Sequence, residues 1–156
     1  MRGVVRRLLK RRRQRPLLVA FDWTEVHDFC TLTAAAVIKG RAVPLLWISS
    51  AKTQLKRRRN ALEERLVRQL QDMPPKGVSL ILLADRGLGR TELARICQKL
   101  GLHSIIRIKP DVWVETRSFR GTLRDYPVHK GMCQVLRDVV YRKHDSVRQH
   151  VVIRLP

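Results

Sequence analysis

An α/β fold built on a mixed sheet is what this chain predicts, on three observations. Two apolar runs, LLVAFD at 17–22 and LILLAD at 80–85, read as strands buried on both faces. Three strand candidates, 17–23, 29–38 and 42–49, follow one another closely enough to form an antiparallel meander. Downstream, strand, helix and strand over 78–109 make a crossover unit with parallel strands.

Residues 1–15, MRGVVRRLLKRRRQR, are dense in base and contain no acid. A segment of this kind resists packing and suits a phosphate-binding arm; an organelle-targeting peptide shares its Arg-rich composition, but serine is absent. Pro16 ends the arm, so 1–16 is read as a basic N-terminal arm ahead of a 17–110 core. Lys39-Gly40 supplies a tight turn between the second and third strands, and Pro44 places the third near an edge or bulge. The stretch TQLKRRRNALEERLVRQLQDM carries Leu55, Leu62, Leu66, Leu70 and Met73 at helical spacing, and Pro74-Pro75 and Gly77 stop it. Asp85-Arg86-Gly87-Leu88-Gly89 turns the chain after the fourth strand. A short helix then runs from Thr91 to Leu100 with Gly101 as its C-cap, and 103–110 reads as a fifth strand. Residues 133–142 and 147–155 alternate as a hairpin about His144-Asp145-Ser146, and 111–156 is expected to be a β-rich insertion or extension of the first sheet.

Composition bounds the function. With 33 Lys and Arg against 13 Asp and Glu, the formal charge is +20, a self-repulsion that a polyanion relieves. Nucleic acid is the expected partner. Lys56, Arg57, Arg58 and Arg59 on the long helix, Arg11, Arg12 and Arg13 in the arm, and Arg86 in the turn are the candidate DNA-binding residues. Three scattered cysteines with no C-x-x-C pair point to a reducing compartment, and five dispersed histidines offer no zinc spacing. No apolar run reaches the roughly 18 residues of a membrane span, so a soluble cytoplasmic protein with no membrane partner is expected.

Asp22 and Asp85 are the candidate catalytic and metal-binding residues. Each closes an apolar strand, where a carboxylate persists only if it is compensated, and at equivalent ends of neighbouring strands the two would share a hard cation such as Mg²⁺ or Mn²⁺. The competing reading makes Asp22 a turn residue and Asp85-Arg86-Gly87 an ordinary turn tripeptide. Glu25 and Asp28 read as solvated acids of a loop, Glu92 as a helix-dipole residue, and Trp23, Trp47 and Trp113 as core. Gly87-x-Gly89 lacks the rest of a dinucleotide fingerprint.

Three antiparallel strands, a helix, then strand, helix and strand, with acids on the first and fourth strands, is the RNase H-like layout. With VAFDWTEVHDF at 19–29, LILLADRGLGR at 80–90 and SIIRIKP at 104–110, the chain resembles the DDE transposases of bacterial insertion sequences, of the insertion sequence family four type. The resemblance implies DNA transposition by a transposase that binds transposon ends and target DNA and performs Mg²⁺- or Mn²⁺-dependent strand cleavage and transfer, with Asp22 as bridging ligand and Asp85 as second ligand. The family's third acid, a glutamate on a later helix, has no counterpart here, because no glutamate follows Tyr141-Arg142-Lys143. A truncated domain that cuts no DNA unless another transposase chain supplies the missing helix is therefore the expectation. The alternative is a non-catalytic basic nucleic-acid-binding protein, in which both aspartates are structural.

Overall fold

The computed structural model describes residues 16–74 and 77–154. Candidate residues Arg11, Arg12 and Arg13 lie outside them. The chain divides between Arg107 and Ile108 into two compact units, each with its own sheet.

The first unit is a five-stranded mixed sheet in the order β3-β2-β1-β4-β5. Its strands are β1 (Leu17–Val26), β2 (Phe29–Ile38), β3 (Arg41–Ala51), β4 (Leu80–Ala84) and β5 (His103–Ile106). β1 to β3 form the antiparallel meander that their spacing predicts, while β1–β4 and β4–β5 pair in parallel. Lys39 and Gly40, at φ 50° and 76°, both take the left-handed conformation that a two-residue hairpin turn of the right twist requires. Pro44 sits on an edge strand beside a register shift, where its missing N–H breaks no inner ladder.

Two helices cover one face of this sheet. Helix α1 (Lys52–Gln71) buries Leu66, Val67 and Leu70 completely, and α2 (Thr91–Lys99) buries Leu93, Ala94 and Cys97. They meet Leu17, Val19, Phe21, Leu32, Ala34, Leu80 and Leu82 from the strands in one apolar cluster. Each fully buried side chain of this size contributes about 1.5–3 kcal/mol, so the helical face anchors the unit. The alternate residues Leu18, Ala20, Ile81 and Leu83 are only half-buried, and Trp47 and Ile105 are exposed. The continuous apolar runs thus face helices on one side only, among the described residues.

β5 is shorter than the 103–110 expected. As an edge strand it pairs only along β4, and the last backbone bond, from Arg107 N–H to the Ala84 carbonyl at 2.9 Å, comes where β4 itself ends. The second unit also departs from expectation. Strands β6 (Trp113–Glu115), β7 (Arg120–Thr122), β8 (Cys133–Tyr141) and β9 (Val147–Arg154) do not extend the first sheet but pair among themselves in the order β7-β6-β8-β9. They enclose a small core of Val114, Leu136, Val139 and Val151. The β8–β9 hairpin falls where the alternation places it, with a bulge between Leu136 and Val139. There Asp138 sits at φ 53° and its N–H reaches His150 Nδ1 at 3.2 Å.

Candidate functional site

The parallel pairing of β1 and β4 brings the two strand-end acids together. Its last register pair is Phe21 with Ala84, so Asp22 and Asp85 each stand one residue further on, on strands about 4.8 Å apart. Both line one cavity of about 220 Å³ at the C-terminal rim of the sheet, with Trp23, Glu25, Cys30, Leu55, Arg59, Gly87 and Leu88. Strand ends of this kind are where open α/β sheets place ligands, because the chain leaves the sheet there and opens a crevice.

Neither carboxylate is used up by its own turn. Asp85 precedes a 3₁₀ turn, Arg86–Leu88, which closes through the backbone, Leu88 N–H to the Asp85 carbonyl at 2.9 Å, with no capping bond from the side chain. Asp22 Oδ1 accepts the neighbouring Trp23 N–H at 2.9 Å, which fixes one oxygen. Gly87 borders the cavity without obstructing it, since a Cβ there would meet nothing within 4 Å. Glu25 also lines the cavity but pairs with Lys52 at 3.1 Å across an exposed surface. Among the described residues no group of three His, Cys, Asp or Glu side chains is arranged to hold a metal.

The long helix contributes the cationic wall, and here the structure separates residues that the sequence groups together. Lys56, Arg57 and Arg58 stand exposed, whereas Arg59 turns inward. Its Nε donates to Glu63 Oε1 at 3.2 Å and its guanidinium lies 5.6 Å from the centre of the Trp23 ring. The Trp23 indole N–H donates to the same Oε1 at 2.8 Å, and Arg90 ion-pairs with Oε2. Glu63 is 2% exposed and is thus a buried carboxylate satisfied from three sides. Arg86 is exposed and is not among the residues that line the cavity.

Glu63 and Arg90 are the residues that sequence reasoning overlooks. A signal existed: Glu63 lies four positions before Val67 and one after Leu62, both buried, and four after an arginine. An acid on that row can remain only if basic partners reach it.

No family model matches this chain, and no curated protein matches it. Among solved structures it is similar to two from Aquifex aeolicus: the crystal structure of that organism's Ppx/GppA family member (11% identity, TM-score 0.30) and its PPX-GPPA enzyme (11% identity, TM-score 0.29). The alignments cover 90% of this chain in both cases, and 51% and 52% of those chains. The chain spans about half the length of each, and at these TM-scores the likeness carries neither fold nor function across. The expectation of a DDE transposase, and with it DNA transposition, recombination and mobile-element function, is corrected by these findings: no match supports a transposase, and the similar structures belong to the Ppx/GppA family. The alternative of a non-catalytic nucleic-acid-binding protein gains no support from them either. The physical reason is that the quoted motifs are mainly apolar strands, two of them closing on an aspartate. Apolar strands of this kind recur in many α/β sheets.

Proposed function

We propose that the cavity at the rim of β1 and β4 binds a divalent cation through Asp22 and Asp85 and acts on a phosphate-bearing ligand. The carrying observation is the register: with Phe21 opposite Ala84, Asp22 and Asp85 follow at adjacent strand ends, and both line one cavity. Two carboxylates suit Mg²⁺, which keeps several waters and is commonly held by one or two carboxylates together with substrate phosphates. In this reading the strand order, with β2 antiparallel and the acids on β1 and after β4, belongs to the RNase H-like class.

A cation bound there would polarise a phosphoryl oxygen and lower the pKa of a bound water. The chain's own residues supply the remainder. Asp22 is oriented by the Trp23 N–H, and Asp85 keeps its carboxylate clear of the turn. Charge supports an anionic ligand. Lys52, Lys56, Arg57 and Arg58 crowd the first two turns of α1, where the helix dipole disfavours cations; the helix's own first turn holds no acid or side-chain cap, and Glu25 pairs with Lys52 alone. An anionic ligand nearby would relieve that repulsion, as would any polyanion for a chain of charge +20.

Hydrolysis of bis(p-nitrophenyl) phosphate and p-nitrophenyl phosphate by the purified chain tests this reading. Turnover is expected with Mg²⁺ or Mn²⁺, none with EDTA, and a loss of at least about 100-fold in Asp22→Asn and Asp85→Asn, the scale on which a metal acts as a Lewis acid. Turnover that persists in EDTA or in both variants would overturn it.

A further inference from the structure

The cluster around Glu63 borders the cavity through Trp23 and Arg59. Arg59 is held at one end only: Nε is bound to Glu63 and the ring of Trp23 lies alongside, while its two terminal nitrogens meet no hydrogen-bond partner among the described residues. The same side chain lines the cavity that Asp22 and Asp85 share. A guanidinium anchored through Nε and open at both terminal nitrogens presents a two-pronged fork, the geometry that grips two oxygens of one phosphate.

We propose that Arg59 is the phosphate-contacting residue of this cavity, that Glu63 positions it, and that the ligand is a phosphate ester held between Arg59 and the cation. The cation part of this statement rests on the function proposed above; the arginine part does not. Glu63 also links the two halves of the site. Trp23 donates its indole N–H to Glu63 and its backbone N–H to Asp22, so one residue of β1 ties the carboxylate rim to the arginine wall. Arg90 occupies the other carboxylate oxygen, which leaves Arg59 bonded through Nε alone and its fork open to the cavity.

The test uses the full chain loaded with Mn²⁺, with inorganic phosphate as the probe and paramagnetic broadening of its ³¹P signal as the readout. The parent is expected to broaden the signal saturably. Arg59→Gln should weaken phosphate binding about tenfold or more with Mn²⁺ affinity within about twofold of the parent, and Arg59→Lys should restore part of the loss. Glu63→Gln should weaken phosphate by a smaller factor and shift the emission of Trp23, read in a Trp47→Phe, Trp113→Phe background. A purely structural role for Glu63 would leave phosphate affinity unchanged in the folded variant. Mn²⁺ binding with equal broadening in the parent and Arg59→Gln would overturn the inference and leave the cation reading standing. If Mn²⁺ does not bind, the cation reading fails by itself. Protection of Arg59 from phenylglyoxal by phosphate in metal-free protein then supports the arginine assignment, and lack of protection overturns it.

Discussion

Glu63 and Glu64 are neighbours on one helix, and the structure predicts opposite consequences for removing them. Glu63 is 2% exposed and answers three donors, the Arg59 Nε, the Trp23 indole and the Arg90 guanidinium. Breaking a buried pair by deleting one partner costs about 3–5 kcal/mol, because the remaining charges lose their compensation without regaining water. Arg59 and Arg90 are 36% and 23% exposed and recover part of their hydration, which places Glu63→Ala near the low end, about 3 kcal/mol. For a unit of this size that lowers Tm by roughly 10–20 °C. Glu63→Gln still accepts from the indole and loses only the charged component, about 1–2 kcal/mol. Glu64, by contrast, makes an exposed pair with Arg68, so Glu64→Ala should cost about 0.5 kcal/mol or less. Urea unfolding followed by Trp23 emission, with Trp47 and Trp113 replaced by Phe, reports on the first unit alone. If Glu63→Ala lies within about 0.5 kcal/mol of its parent, or if the two alanine variants are equally stable, the buried-hub reasoning is refuted.

Other perturbations probe the turn, the core and the charge. Gly40 sits at φ +76°, so Gly40→Val should destabilise the first unit by about 1 kcal/mol or more through backbone strain alone, measured by the same urea titration. Burial pushes the Cys97 thiol up to about 11 from 9.0, against small opposing effects of hydrogen bonds, so the folded state holds that proton where the unfolded chain releases it. Its stabilising contribution is therefore complete below pH 9 and declines as pH rises towards 11, a slope that Cys97→Ala should lack in unfolding measured from pH 8 to 10.5. Exposed Cys133 should react with a thiol reagent at pH 8 well before buried Cys30 and Cys97, as followed spectrophotometrically; equal rates for all three would contradict the burial described. Binding of a fluorescent polyphosphate should weaken at least about tenfold between 50 and 200 mM salt, since a chain of charge +20 engages it by releasing counterions.

The meander, the long helix and the strand-helix-strand unit were legible because each rests on a local pattern: Lys39-Gly40 at a two-residue turn, Leu62, Leu66 and Leu70 at helical spacing, and an apolar run ending at Asp85. What escaped depends on partners distant in the chain. Strand β5 stops where its neighbour stops, a fact of pairing that HSIIRIKP does not contain. The separate sheet of the second unit follows from which strands find one another, not from the alternation of any one of them. In the cavity, Asp22 and Asp85 could be singled out because each closes an apolar strand, though both stand exposed and not buried at a cost. Glu63 was hidden because an acid in a stretch rich in Arg and Glu resembles a solvated face until Trp23, forty residues earlier, is seen to donate to it. Arg59 illustrates the same limit: about 100° and 200° of helix phase separate it from Arg58 and Arg57, and only the packed structure shows which of them turns inward.

Mn²⁺ titration followed by electron paramagnetic resonance tests, without requiring turnover, whether Asp22 and Asp85 hold one cation between them. One saturable Mn²⁺ site per chain, competed by Mg²⁺ and lost in both Asp22→Asn and Asp85→Asn, is the predicted result. Mn²⁺ retained at full strength when both aspartates are replaced, or no saturable site in the folded parent, would contradict the account.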